Sequence, residues 1–199
     1  MLNLASILLA PPTCSGCGAT GRDWCQQCAA IVPVPQWIGM GVPVLTCFTF
    51  SGPVRRTIID WKEEGRRAAR QRVEAWLAAG LQPLAEGWPQ ALFVPIPSSA
   101  ASERQRGGRV LAAALCAVLP RDQVCEELRA VRPRADQAGL SRLQRERNLR
   151  GAMQWDGPHN RPLIVVDDII TSGATMREGV RAIRASGRLQ VIGFALARR

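Results

Sequence analysis

A parallel β-sheet flanked by helices, an α/β fold preceded by a small four-cysteine element, is the architecture written into these 199 residues. Three stretches carry that reading. Leu163–Thr175 (LIVVDDIITSGAT) opens with an apolar run too continuous for a half-exposed strand, the mark of a strand buried on both faces. After Asp167-Asp168 comes a short turn bearing hydroxyls and a glycine, then a helix over Met176–Ser186 whose apolar Met176, Val180 and Ile183 share one face. Ala91–Pro97 (ALFVPIP) is a second buried run, and its two prolines suit the end of a strand rather than its middle. Cys14-x-x-Cys17 and Cys25-x-x-Cys28 are paired knuckles of the kind that surround one tetrahedral zinc ion.

A chain of this length supports one α/β domain of about 150 residues with a small appendage. The natural division is a zinc-binding element and linker over 1–42 and the α/β domain over 43–199. Hydrophobic residues make up 47%, enough for a core, and no apolar run approaches the ~20 residues that span a bilayer. Met1–Ala10 (MLNLASILLA) is apolar but short and lacks the basic residues that open a secretory signal, so a cytoplasmic protein is expected. The net charge of +10 is almost wholly arginine, with Lys62 the only lysine. Abundant alanine alongside points to a GC-rich coding bias behind part of that arginine. A pI of about 10.7 still favours polyanionic partners such as nucleotides, pyrophosphate or nucleic acid. Tyrosine is absent and aromatics are few, so no base-stacking platform is evident.

From the N-terminus, Gly16, Gly18 and Gly21 let the backbone fold tightly about the four thiols. Disulfides are the poorer explanation in a cytoplasmic protein, and a redox pair would need only one knuckle. Such modules more often replace a core that a short segment cannot build than contact DNA. Cys47, Cys116 and Cys125 lie in apolar surroundings and read as core thiols. Residues 31–42, with Pro33, Pro35, Gly39 and Gly41, read as a linker. Val44–Phe50 alternates as a strand; Ser51-Gly52-Pro53 then turns into a helix, broken near Gly65 and resuming to about Leu81. Within it Lys62 either lies over an anionic ligand or is an exposed helical lysine; spacing leaves both open.

Ser98–Arg109 (SSAASERQRGGR) is small, polar and basic. It is either a loop closing over pyrophosphate, with Arg104, Arg106 and Arg109 supplying charge, or a mobile solvated segment. Val110–Leu119 is a helix packed on the sheet and Val124–Val131 a third strand. Residues 134–151 form a basic helix with few core positions, Leu140, Leu143 and Leu149; Gln137, Arg142, Arg145 and Asn148 broadly share a face, and alone it reads as solvated. Gln190–Ala197 closes the sheet, and His159, the only histidine, reads as an exposed loop residue.

Asp167 and Asp168 fall at the carboxyl end of their strand, where open α/β sheets bind ligands. Backbone N–H groups at the following helix start, with the hydroxyls of Thr171, Ser172 and Thr175, suit a phosphate monoester. Two carboxylates beside that cradle need something other than phosphate to hold: a ribose diol, a divalent metal, or both. The stretch reads as a site for a sugar phosphate.

The strand, acid pair and Thr-Ser-Gly-Ala-Thr loop resemble the phosphoribosyl pyrophosphate (PRPP) motif of type I phosphoribosyltransferases. The wider succession is Cys14/Cys17/Cys25/Cys28, Lys62-Glu63-Glu64-Gly65, Val94-Pro95-Ile96-Pro97, Gln137–Leu140 with Arg145, Asn148 and Gly151, and Val165–Thr175. It covers nearly the whole chain and resembles the ComF family of phosphoribosyltransferase-like proteins. The resemblance implies a type I phosphoribosyltransferase-like fold with a zinc-bearing appendage as part of a hood. It implies Mg²⁺-dependent transfer of a phosphoribosyl group from PRPP with release of pyrophosphate. Asp167 and Asp168 would then be the catalytic acids on the ribose hydroxyls, and Thr171, Ser172, Gly173, Ala174 and Thr175 the 5′-phosphate loop. Lys62, Ser98, Ser99, Arg104, Arg106 and Arg145 are the candidate pyrophosphate contacts. The same resemblance implies a part in DNA uptake during natural transformation, with single-stranded DNA or uptake proteins as partners. The alternative is a non-catalytic PRPP-binding or DNA-uptake accessory protein with a zinc element.

Two departures matter. Where the family often continues Arg-Gly-Phe-Asn-Gln, this chain has Arg106-Gly107-Gly108-Arg109-Val110, so its substrate contacts there differ. Oxopurine phosphoribosyltransferases carry an aspartate where Thr171 stands, which counts against hypoxanthine or guanine as acceptor.

Overall fold

The structure, a computed structural model, describes residues 11–132, 149–158, 160–187 and 190–199. The Met1–Ala10 segment, nearly all of the basic 134–151 helix including Arg145, and His159 lie outside the described residues.

Seven strands are described: β1 Gln36–Gly39, β2 Pro43–Thr49, β3 Leu92–Pro95, β4 Leu128–Ala130, β5 Met153–Trp155, β6 Leu163–Ile170 and β7 Val191–Arg198. Five of them form one sheet in the order β1-β2-β7-β6-β3, parallel except for the antiparallel β1–β2 edge. β4 and β5 make a separate antiparallel ladder. The helices are α1 Gln26–Ala29, α2 Gly52–Lys62, α3 Arg67–Gly87, α4 Ala100–Arg106, α5 Val110–Val118 and α6 Ala174–Ala185.

The continuous apolar run of β6 has a direct cause in this layering. Ile164 and Val166 pack with Ile58, Trp61, Leu77 and Leu115 of α2, α3 and α5. Leu163 and Val165 pack on the opposite side with Met176 and Val180 of α6 and with Leu128, Met153 and Trp155 of the small ladder. Both faces of the strand are therefore buried, at about 1.5–3 kcal/mol for each large side chain removed from water. The small ladder is tied to α6 by Glu178, a buried carboxylate that accepts the Met153 N–H at 3.1 Å and pairs with Arg181 at 2.7 Å.

α3 meets the sheet most closely at Gly80, where a Cβ would fall 2.6 Å from Cys47 Sγ and 3.1 Å from Phe194 Cζ. Gly80→Val is expected to cost about 3 kcal/mol by overpacking, read as a lowered midpoint in a thermal melt. An unchanged midpoint would mean that this approach is looser than described.

Several expectations need correction. Residues 36–39 are not linker but the edge strand β1, registered from Gln36↔Thr46 to Gly39↔Pro43; a four-residue edge strand flanked by prolines carries almost no alternation to read. The stretch 124–131 does not run as one sheet strand. Val124 bridges Phe93, and the chain then leaves the sheet so that Leu128–Ala130 pairs with β5. Ser98–Arg109 is not an open loop: Ser99 Oγ caps α4 by accepting the Ser102 N–H at 3.1 Å, and Gly107 at φ +72° ends it. α3 continues past Leu81 and through Pro83 to Gly87. Of the three presumed core thiols only Cys47 is buried; Cys116 and Cys125 are half-buried.

Candidate functional site

β3 ends at Pro95, paired to Val166, whereas β6 runs on beside β7 to Ile170. Asp167 and Asp168 therefore lie inside β6 rather than beyond it, at the point where the neighbour on one side has stopped. The notch this leaves is part of a cavity of about 300 Å³. Its wall brings together Lys62, Ser98, Ser99, Arg106, Asp167, Asp168, Thr171 and Thr175, and adds Trp61 and Ser102, which the sequence did not point to. Ser102 had a faint signal: it stands three residues after Ser99, the spacing of a helix cap.

The two acids are not equivalent. Asp168 is buried, accepts the Ile169 N–H at 2.8 Å, and its Oδ2 is in contact with the Lys62 ammonium. Burial raises its pKa, but the Lys62 ammonium, together with the hydrogen bonds to the carboxylate, more than offsets burial and holds the carboxyl below the usual carboxylate range. Asp167 is half-buried and accepts the Asp168 N–H at 2.9 Å. Burial and the adjacent Asp168 charge push its pKa up to about 8, against a smaller pull from Lys62. The two neighbouring carboxyls are thus pushed in opposite directions, Asp167 up and Asp168 down.

Arg106 closes the other side of the cavity. Its Nη2 donates to Glu63 Oε1 at 2.6 Å, while its Nε is buried and has no hydrogen-bond partner among the described residues. Arg104 is exposed and is not part of the wall. Arg109 turns elsewhere, to Glu126 at 3.2 Å and Glu103 at 3.5 Å. Of the Thr-Ser-Gly-Ala-Thr turn, only Thr171 and Thr175 reach the cavity wall. The Ser172 carbonyl accepts from Arg177 at 2.9 Å, and Gly173 takes a left-handed backbone at φ +73° that favours glycine.

The four cysteines form a second centre. Their Sγ atoms lie within 4.8 Å of one another, and Cys17 and Cys25 are 3.7 Å apart. A tetrahedral zinc with bonds of about 2.3 Å puts its sulfurs about 3.8 Å apart, so the cluster fits a structural metal ion such as zinc. Burial opposes ionisation of Cys14, but the backbone N–H groups of Cys17, Cys25 and Gly16 bring its thiol down to about 6. Gly16 is required here, since a Cβ would fall 2.7 Å from Cys28 Sγ. The element docks on α2 and α3. Arg66 bridges it, donating to the Thr13 carbonyl at 2.7 Å and to the buried Asp60 carboxylate at 3.0 Å. Trp24 donates to the Ala68 carbonyl at 3.2 Å and packs edge-on against Trp76.

No protein-family model matches this chain, and no curated protein matches it. Among the described residues, no helix is long and apolar enough to cross a membrane.

Proposed function

We propose that the chain binds PRPP with Mg²⁺ in the cavity beside β6 and transfers its phosphoribosyl group with release of pyrophosphate. The observation that supports this most is the gathering of paired acids, two hydroxyl-bearing loop residues and two cations on one wall at the carboxyl end of the parallel strands. Asp167 and Asp168 hold the ribose hydroxyls, directly or through the metal ion, Thr171 and Thr175 anchor the 5′-phosphate, and Lys62 and Arg106 take the pyrophosphate. Binding of the remote 5′-phosphate fixes the anomeric carbon, and cationic side chains steady the charge that grows on the departing pyrophosphate. Mg²⁺, when bound, adds charge neutralisation of the leaving group. In this reading the cysteine cluster holds structural zinc, and the bridge through Arg66 lets it stiffen the α2–α3 junction that carries Lys62. The ComF resemblance adds a cytoplasmic role in DNA uptake.

The test is calorimetric titration with PRPP in the presence and absence of Mg²⁺, followed by a pyrophosphate-release assay over candidate bases and amines. Mg²⁺-dependent binding together with release on one acceptor is the expected result. Binding without release would leave a PRPP-binding accessory protein, and no binding would end the reading.

A further inference from the structure

Lys62 and Glu63 are neighbours in sequence with opposite charges, and each is spent on a group of opposite charge in or beside the cavity. The Lys62 ammonium rests on Asp168, and the Glu63 carboxylate takes the Arg106 guanidinium. A cation thus sits on the acid pair while an anion sits on the arginine, the same two charges that a metal–pyrophosphate ligand would bring. We infer that Glu63 is a specificity-determining residue of the proposed site, an internal competitor that only a ligand carrying a polyanion together with a cation displaces cleanly. This rests on the sugar-phosphate reading above.

Three observations support it. Arg106 is only 16% exposed and keeps a buried, unpartnered Nε, so its guanidinium has donor capacity that Glu63 does not use. Lys62 and Arg106 both line the acid cavity and a neighbouring groove of about 500 Å³ that also contains Glu63, so the two contacts stand on the partition between them. Gly65, Gly107 and Gly108 flank the two segments at φ +60°, +72° and +150°, and a Cβ at any of them would meet nothing within 4 Å. Close packing does not explain these glycines; their left-handed backbone does, so the segments that carry both contacts turn sharply beside them.

The Glu63 carboxylate is 41% exposed, and an ion pair so open to water is weak enough for a ligand to replace. Free pyrophosphate competes with Glu63 but leaves Lys62 committed to Asp168. Were the acids to hold a divalent cation, Lys62 would be free to join Arg106 on the diphosphate. Metal and pyrophosphate would therefore assist each other, and the displaced Glu63 carboxylate, which repels the metal-free polyanion more than its less negative metal complex, would enlarge that assistance.

The experiment is calorimetric titration of the full chain with inorganic pyrophosphate, with and without Mg²⁺, for the unsubstituted protein, Glu63→Gln and Glu63→Asp. Glu63→Gln is expected to bind metal-free pyrophosphate about three- to fivefold tighter, with the gain fading at high salt and the melting temperature unchanged. Its Mg²⁺ enhancement shrinks in proportion, while Glu63→Asp, which keeps the charge, behaves as the unsubstituted chain. Equal or weaker metal-free affinity in Glu63→Gln, with Mg²⁺–PRPP binding intact, overturns the inference and spares the site. Failure of all three proteins to bind pyrophosphate or Mg²⁺–PRPP overturns the site and the inference together.

Discussion

Replacing Asp167 and Asp168 together by asparagine is expected to weaken Mg²⁺–PRPP binding by roughly 100-fold or more while the chain still folds. Each acid would give the ligand a charge-assisted contact of about 1.5–3 kcal/mol, and 1.4 kcal/mol is tenfold in affinity. The fold survives because neither carboxylate holds the sheet together; the β6 ladder and its two apolar faces do. Calorimetry decides the matter: unchanged affinity in a folded double variant would refute the ribose assignment.

The single variants separate the two acids by pH. An unfolded aspartate loses its proton near pH 4, whereas folded Asp167 keeps its proton until about pH 8. Between those values the folded chain binds the extra proton, so the contribution of Asp167 to stability falls as pH rises through the window and levels off above it. Asparagine has no proton to lose. The melting temperature of Asp167→Asn should therefore gain on the unsubstituted chain from pH 5 to pH 8. Asp168 runs the other way, because Lys62 holds its carboxyl low; its stabilisation is present at neutral pH and is lost as pH falls through the acid range. Parallel melting curves across pH 5–8 would mean that Asp167 is not the protonated member. The same proton must leave before a metal can use both acids, so Mg²⁺-dependent binding should tighten as pH rises toward 8.

Cys17→Ser is expected to abolish stoichiometric zinc and to lower the melting temperature by roughly 10 °C or more. A structural zinc site contributes on the order of 10 kcal/mol of binding free energy, and for a chain of this size each kcal/mol lost moves the midpoint by about 2–4 °C. Cys17 is the exposed member of the four, so the serine buries no new hydroxyl and the loss reports on the metal rather than on packing. Without the ion, the Arg66 and Trp24 contacts that dock the element on α2 and α3 lose their fixed partner. Metal content by atomic absorption and a thermal melt test this directly. If both survive the substitution, the four thiols are not a metal site.

The readable parts of the chain were those whose chemistry is local. Leu163–Thr175 announced a doubly buried strand, an acid pair and a turn into a helix because every one of those features lies within a few residues of the next. The two Cys-x-x-Cys knuckles carried their own geometry, and their thiols do converge. The β1 edge strand was illegible, since what makes Gln36–Gly39 a strand is the Val44–Thr46 backbone across a turn and not its own pattern. The path of 124–131 was hidden for a similar reason: its partner β5 lies more than twenty residues downstream. α4 could have been found from its Ser99 cap, but the surrounding arginines and glycines mimic an open loop.

The residues themselves settled that this chain has a two-sided strand bearing paired carboxylates and four thiols able to surround one ion. What sets the two acids apart was settled elsewhere, by an ammonium arriving from a helix a hundred residues earlier. So was the fate of Arg106, whose carboxylate partner is 43 positions away. Charge pairing depends on distance and burial in three dimensions, and neither is encoded in the order of neighbouring side chains.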